Sequence, residues 1–369
     1  MDDYRSELAS LEGQLTYMLN TPEDQRIAER MVNIADRHND VEYQLKGRAH
    51  LVDASTWVGH PEKALVAFAY LLSVLDDKPE VFNQHLSLFT TLWSYKWIID
   101  RLPLFPTISR EQIDTAWEDM ERRFRAHGSA ERAILQYRFK VNSEAGHYEL
   151  AEAALEELDR YTGSGHALID CKACFADCRA QHYVRRGDYA RAIEEGQPIL
   201  RGKVKCAEIP SRFYEQLVVP YLLTDQPDKA TEMVSRMKLK PLTHNVFMNA
   251  MAIVALTATG KLTRALEITE RNWSVVHATR EQYTPYHFYL AVRYLLRSLQ
   301  SDGKTTVKLR LTDDLPFYRP DRHYPLDELL AQLTDRIDTL RDAFNRRDGN
   351  DYYTRLEQRI EQVAARYSQ

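Results

Sequence analysis

Residues 171–211 read CKACFADCRAQHYVRRGDYARAIEEGQPILRGKVKCAEIPS, and this stretch decides the fold. Small and apolar residues recur every three to four positions up to Arg186. Gly187 breaks the pattern, and a second helical run opens two residues later. Ala192 follows the breaker by five positions. Glycine gives the chain the left-handed conformation that ends a helix, and a small alanine in the next helix lets the two helices pack closely. The stretch therefore predicts a helix–turn–helix hairpin.

The same punctuation recurs along the chain. Gly59 precedes Ala64, Gly146 precedes Ala151, Asp225 precedes Ala230 and Gly260 precedes Ala265. A sixth unit is expected between the first two, with a helix over 81–102, a PLFPTI turn and a helix over 109–124. Ser109 and Gln112 are spaced as its capping box and Ala116 takes the alanine position. Alanines at 64, 116, 151, 192, 230 and 265 give a two-helix unit repeating every ~35–40 residues, the pattern of an α-solenoid.

Composition agrees. With 44% hydrophobic residues the chain can bury an extensive core, and only 13 glycines and 14 prolines in 369 residues leave long runs without turns, favouring helices. That length exceeds one ordinary compact domain, so either two domains or an elongated repeat array is expected. A net charge of −5 disfavours a general nucleic-acid binder. The start, MDDYRSELAS, is acidic, and no apolar run reaches the ~18 residues that span a bilayer. A cytoplasmic protein with no membrane association is expected, and its four cysteines read as thiols or metal ligands more than as disulfides.

Outside the repeats, Leu8, Leu11, Leu15 and Met18 mark an opening helix over 2–19, and Thr21 before Pro22 marks the start of a second. Residues 1–40 are read as helices capping the array, 41–300 as repeats, 301–325 as an irregular arm and 326–369 as a C-terminal helical cap. Within the arm, TTVKLRL alternates with the period of a strand.

The stretches Gly187-Asp-Tyr-Ala-Arg-Ala192-Ile, Gly146-His-Tyr-Glu-Leu-Ala151-Glu and Gly260-Lys-Leu-Thr-Arg-Ala265-Leu resemble the tetratricopeptide repeat family. The resemblance spans roughly Val41 to Val276. Tyr183 and Tyr221 fit the aromatic positions of the family's first helix, whereas Asn142 and Leu256 depart from them, and the repeat-closing proline is mostly absent. Asp170-Cys-Lys-Ala-Cys174 and Cys206-Ala-Glu-Ile-Pro210 are similar to stretches of bacterial members that have no established activity. The resemblance implies an all-α, right-handed α-solenoid of helical hairpins that binds a peptide or protein on its concave face. In the family that face is lined by the first helix of each pair. Transferring those offsets selects His50, Asp53, Gln136, Tyr137, Lys140, Asp177, Gln181, Arg212 and Glu215 as partner-binding residues. The expected function is a non-catalytic adaptor or regulator.

The cysteines are the only concentrated chemistry. Cys171 and Cys174 form a CxxC at a helix start, and Cys206 opens the next repeat, whose equivalent helix lies alongside. Three thiolates and a fourth ligand from among His166, Cys178, His182 and Glu208 would make a tetrahedral zinc site. The competing reading is that these are small buried residues packing between repeats, and a redox CxxC is a third. A sensor that responds to a small peptide, to metal or to redox state is therefore the alternative function. Nothing supports catalysis directly. Gly303-Lys-Thr-Thr lacks the earlier glycine of a phosphate loop, and HExxH and GxSxG are absent. An enzyme site, if one exists, is expected in 301–325.

Overall fold

Helices dominate the computed structural model, which describes residues 3–16, 21–128, 130–163 and 167–367. The chain divides into two units, Met1–Ala126 with Thr279–Glu281, and His127–Ala278 with Gln282–Gln369. The division falls inside the stretch read as one run of repeats.

The first unit holds α1 (Asp3–Glu12), α2 (Pro22–His38), α3 (Val41–Val58), α4 (Pro61–Asp77), α5 (Pro79–His85), α6 (Leu88–Arg101) and α7 (Arg110–His127). Leu8 and Leu11 of α1 pack against Ile27, Met31, Ala35 and Tyr43. α1 ends sooner than its spacing predicts, because the chain turns tightly at 13–15, where Gln14 N–H bonds Leu11 O at 3.0 Å. Met18 lies outside the described residues. Thr21 caps α2 as expected, its hydroxyl accepting from Asp24 N–H at 3.1 Å while the Asp24 carboxylate accepts from Thr21 N–H at 3.0 Å. The single helix expected over 81–102 is two, because Ser87 restarts the chain by capping Thr90 N–H at 3.4 Å. Ser109 and Gln112 form the expected reciprocal cap.

The second unit begins with α8 (Glu131–Glu144), α9 (Tyr148–Arg160), α10 (Lys172–Arg186), α11 (Tyr189–Glu195) and α12 (Gln197–Leu200). A 3-10 turn at Tyr214–Leu217 leads into α13 (Val218–Leu223), followed by α14 (Pro227–Arg236), α15 (Val246–Ala258), α16 (Leu262–Ala278) and α17 (Tyr283–Ser301). Helices α8/α9, α10/α11, α13/α14 and α15/α16 pair in sequence. First members also meet one another, α8 with α10, α10 with the 3-10 turn, α13 with α15, and α15 with α17.

The alanine rule explains the pairing. Ala64, Ala151, Ala192, Ala230 and Ala265 are each 0% exposed, and all five breakers before them have positive φ, from 58° at Asp225 to 97° at Gly59. Gly187, at φ 84°, closes α10 by donating its N–H to Tyr183 O and Val184 O. Ala116 is the exception and corrects the sixth unit: it is only half-buried. α7 instead buries Ile113, Met120 and Phe124, and it meets α6 through a hydrogen bond from Tyr95 Oη to Asp119 at 2.9 Å. Long side chains, not a small residue, set that contact.

The rest of the second unit is strand β1 (Thr306–Lys308) paired antiparallel with β2 (His323–Pro325), then α18 (Leu326–Asp348) and α19 (Tyr352–Tyr367). The arm at 301–325 is docked: Leu309, Leu311 and Leu315 are buried, and the Phe317 and Trp273 ring centroids lie 5.5 Å apart. α19 lies against α13, α15 and α17 and serves the carboxyl ends of the first helices. Asn350 Nδ2 donates to Ala145 O at the end of α8 at 2.6 Å, the Arg359 guanidinium donates to Arg185 O at the end of α10, and Tyr367 Oη donates to Leu222 O in α13 at 2.9 Å. These carbonyls lie at the ends of their helices, and at Arg185 the cationic group meets the negative end of a dipole. Arg293 of α17, 3% exposed, fixes α19 through Glu357 at 2.6 Å and Glu361 at 2.8 Å. Among the described residues no helix is long and apolar enough to cross a membrane.

Replacing a fully buried alanine by leucine should force the paired helices apart. Ala192→Leu is expected to destabilise the protein by about 2 kcal/mol, the scale of overpacking a filled core. Ala116→Leu is expected to change stability by less than ~0.5 kcal/mol, as at ordinary partly exposed positions. Urea denaturation midpoints of the two variants check the contrast.

Candidate functional site

Of the residues expected to bind a partner, His50 and Asp53 belong to the first unit, both half-buried on α3. His50 Nε2 stands 3.7 Å from Glu12 Oε1, and burial lowers its basicity against the pull of that carboxylate. Asp53 accepts from Ser94 Oγ at 3.3 Å, and burial pushes its carboxyl up to about 6.

The other seven lie in the second unit. Gln136 and Tyr137 are buried on α8. Gln136 Oε1 accepts from Asp170 N–H at 2.9 Å, so it anchors the segment entering α10 rather than facing a ligand. Lys140 places its ammonium 5.3 Å from the Tyr137 ring centroid. On α10, Gln181 Nε2 donates to Asp177 Oδ2 at 2.9 Å, Arg185 Nη2 donates to Gln181 Oε1 at 3.0 Å, and Arg185 reaches Glu144 at 3.6 Å. A polar line thus runs along α10 to the end of α8. Beside it, Arg212 is exposed and Glu215 is buried in the 3-10 turn.

These groups share one electrostatic neighbourhood. Burial raises the Asp177 carboxyl against the fields of Arg212, Lys140 and Arg185. Burial pushes Glu215 up to about 8, with Arg212 opposing and Asp177 adding to the rise. Asp177 Oδ1 is buried without a hydrogen-bond partner. A desolvated carboxylate oxygen in that state is costly and accepts any donor offered to it.

Breaker offsets missed the far side of this neighbourhood. His287 of α17 is 4% exposed, and neither ring nitrogen has a hydrogen-bond partner. Its ring stands edge-on to Phe247 and Tyr283, each 4.7 Å away between centroids. Burial lowers its pKa to about 3, with Arg185 and Arg359 adding to the shift. The available signal was the aromatic run of α17, in which Tyr283, Tyr286 and His287 fall on one helical face.

Three of the four thiols converge, Cys206 reaching the CxxC from a non-helical stretch rather than from the helix start expected there. Sγ atoms of Cys171, Cys174 and Cys206 all lie within 4.8 Å of one another, and Cys174 and Cys206 are 3.7 Å apart. Cys171 is the N-cap of α10, its sulfur accepting from Cys174 N–H at 3.4 Å. Cys206 Sγ accepts from Ile209 N–H at 3.4 Å. The other proposed ligands are elsewhere. Cys178 lies seven positions past Cys171, about 10 Å of helical rise, and packs against the cluster of Leu135, Phe139 and Leu155. His182 is buried, with Nδ1 3.0 Å from Ser143 Oγ. Glu208 is half-buried and outside the converging set, and His166 lies outside the described residues.

No family model matches this chain, and no curated protein matches it.

Glu215 gives a pH signature. Its folded pKa of about 8 lies above the ordinary 4.5, so between those values the folded state holds a proton that the unfolded state has lost. Stability from this group therefore falls as pH rises through that window. In Glu215→Gln the dependence vanishes, and the stability difference, wild type minus variant, should shrink by at least about 1.4 kcal/mol from pH 5 to pH 8. Urea titrations of both proteins across that range measure it.

Proposed function

We propose that this protein is a non-catalytic interaction protein, a right-handed α-solenoid of tetratricopeptide-type hairpins. On this reading the first-helix face of the second unit binds a peptide or protein segment. The supporting observation is the buried Asp177 Oδ1 without a hydrogen-bond partner, set beside Glu215 and near Lys140, Arg185 and Arg212. A peptide offers both backbone N–H donors and carbonyl acceptors, and this face offers acceptors and cations in the same few residues. A lysine, an arginine or an amino terminus on the partner would donate to Asp177 Oδ1 and favour its ionised form. Free thiols suit a reducing compartment, so the protein is assigned to the cytoplasm. The converging cysteines favour a second role as a sensor of metal or redox state, taken up below.

Selection of a random peptide library on the purified protein tests the reading. Selected peptides should carry a cationic residue at a fixed position. Asp177→Asn should weaken their binding by about tenfold or more, the scale of a lost charged hydrogen bond, and the charge-reversed Asp177→Lys should weaken it further. Equal binding by wild type and both variants would move the surface away from this face.

A further inference from the structure

We propose that Cys171, Cys174 and Cys206 bind one zinc ion. Three observations carry the assignment. First, the sulfurs converge from two separate segments, the start of α10 and the stretch before the 3-10 turn, to within 4.8 Å of one another. Zinc–sulfur bonds of about 2.3 Å at tetrahedral angles put sulfurs about 3.8 Å apart. Cys174 and Cys206 already stand at 3.7 Å.

Second, two of the three sulfurs accept backbone N–H groups three residues on, Cys171 from Cys174 and Cys206 from Ile209. Such donors stabilise a thiolate and aim its remaining lone pairs, which is what a ligand sulfur needs. Third, packing alone does not account for the set. Cys174 and Cys206 are half-buried against the core, but Cys171 is exposed and is not among the residues packed on it. Its position is explained by what its sulfur can accept and hold.

Binding balances as one zinc dication and three thiols giving a three-thiolate complex of charge −1, with three protons released to solvent. Lys172 and Lys205, each next to a ligand in sequence and both exposed, supply local positive charge. Among the described residues no fourth histidine, cysteine or carboxylate joins the cluster, and water, an outside ligand or His166, which lies outside those residues, would complete the tetrahedron. A site exposed at Cys171 is exchangeable, which fits a sensing or delivery role better than a permanent structural one. The ion would staple α10 to the segment that carries Arg212 and Glu215. The site does not depend on peptide binding at that face, and either reading can fail alone.

The test is titration of reduced, metal-free protein with cobalt(II), followed by displacement with zinc(II). One equivalent of cobalt should bind, with intense tetrahedral d–d absorption and a sulfur-to-cobalt charge-transfer band, and zinc should abolish both. Cys171→Ser and Cys206→Ser should each weaken binding by about 100-fold or more, while Cys178→Ser should leave it unchanged. Serine is itself a good N-cap, so Cys171→Ser should keep the metal-free melting temperature and separate loss of the ligand from loss of fold. Absence of the charge-transfer band, full binding by Cys171→Ser, or loss of binding in Cys178→Ser would overturn the assignment.

Discussion

Two helices approach to near contact only where one of them presents almost nothing. That constraint organises the second unit. Ala151, Ala192, Ala230 and Ala265 are completely enclosed, and each follows a left-handed residue that turns the chain back on itself. With each hairpin closed at its small residue, the first members α8, α10, α13 and α15 are left to meet one another. Their shared row brings Lys140, Asp177, Arg185, Arg212 and Glu215 into one field, though they span more than seventy positions of chain. Enlarging the alanines would not touch these polar groups, yet it would dissolve the row that assembles them.

The price of that assembly is desolvation. Asp177 and Glu215 are pushed towards their neutral forms, and His287 is held neutral with no partner on either nitrogen. A core selected for stability alone replaces such groups with apolar ones at little cost. Their presence on the row of first helices is what sets this face apart from the aliphatic interior of α15, buried nearly all round.

What was legible in the sequence is local, and what was not is long-range. Left-handed breakers, the Thr21 and Ser109 caps and the enclosed alanines each depend on a handful of neighbouring residues, so composition and spacing reveal them. Cys206 does meet Cys171, but from an irregular stretch before the 3-10 turn rather than from the helix start expected there. Ala116 has the right spacing yet lacks a left-handed breaker before it, and its helix buries a different face. Ser87 hides a helix start inside an apolar run. The docking of α19 leaves no periodic trace, because Asn350, Arg359 and Tyr367 reach backbone atoms far away in the chain.

Those reaches have a consequence for the order in which the protein is made. Asn350 finishes a helix 205 positions earlier, Arg359 one 174 positions earlier and Tyr367 one 145 positions earlier. While the chain is being synthesised, these three bonds wait for α19. Hairpins can form as they emerge, since their contacts are near in sequence, but the row they build waits for residues made last. Contacts of such separation slow folding, because their loop-closure entropy is met before their energy is gained. The docking of α19 therefore closes after the hairpins it touches, unlike a simple array in which each repeat contacts only its neighbours.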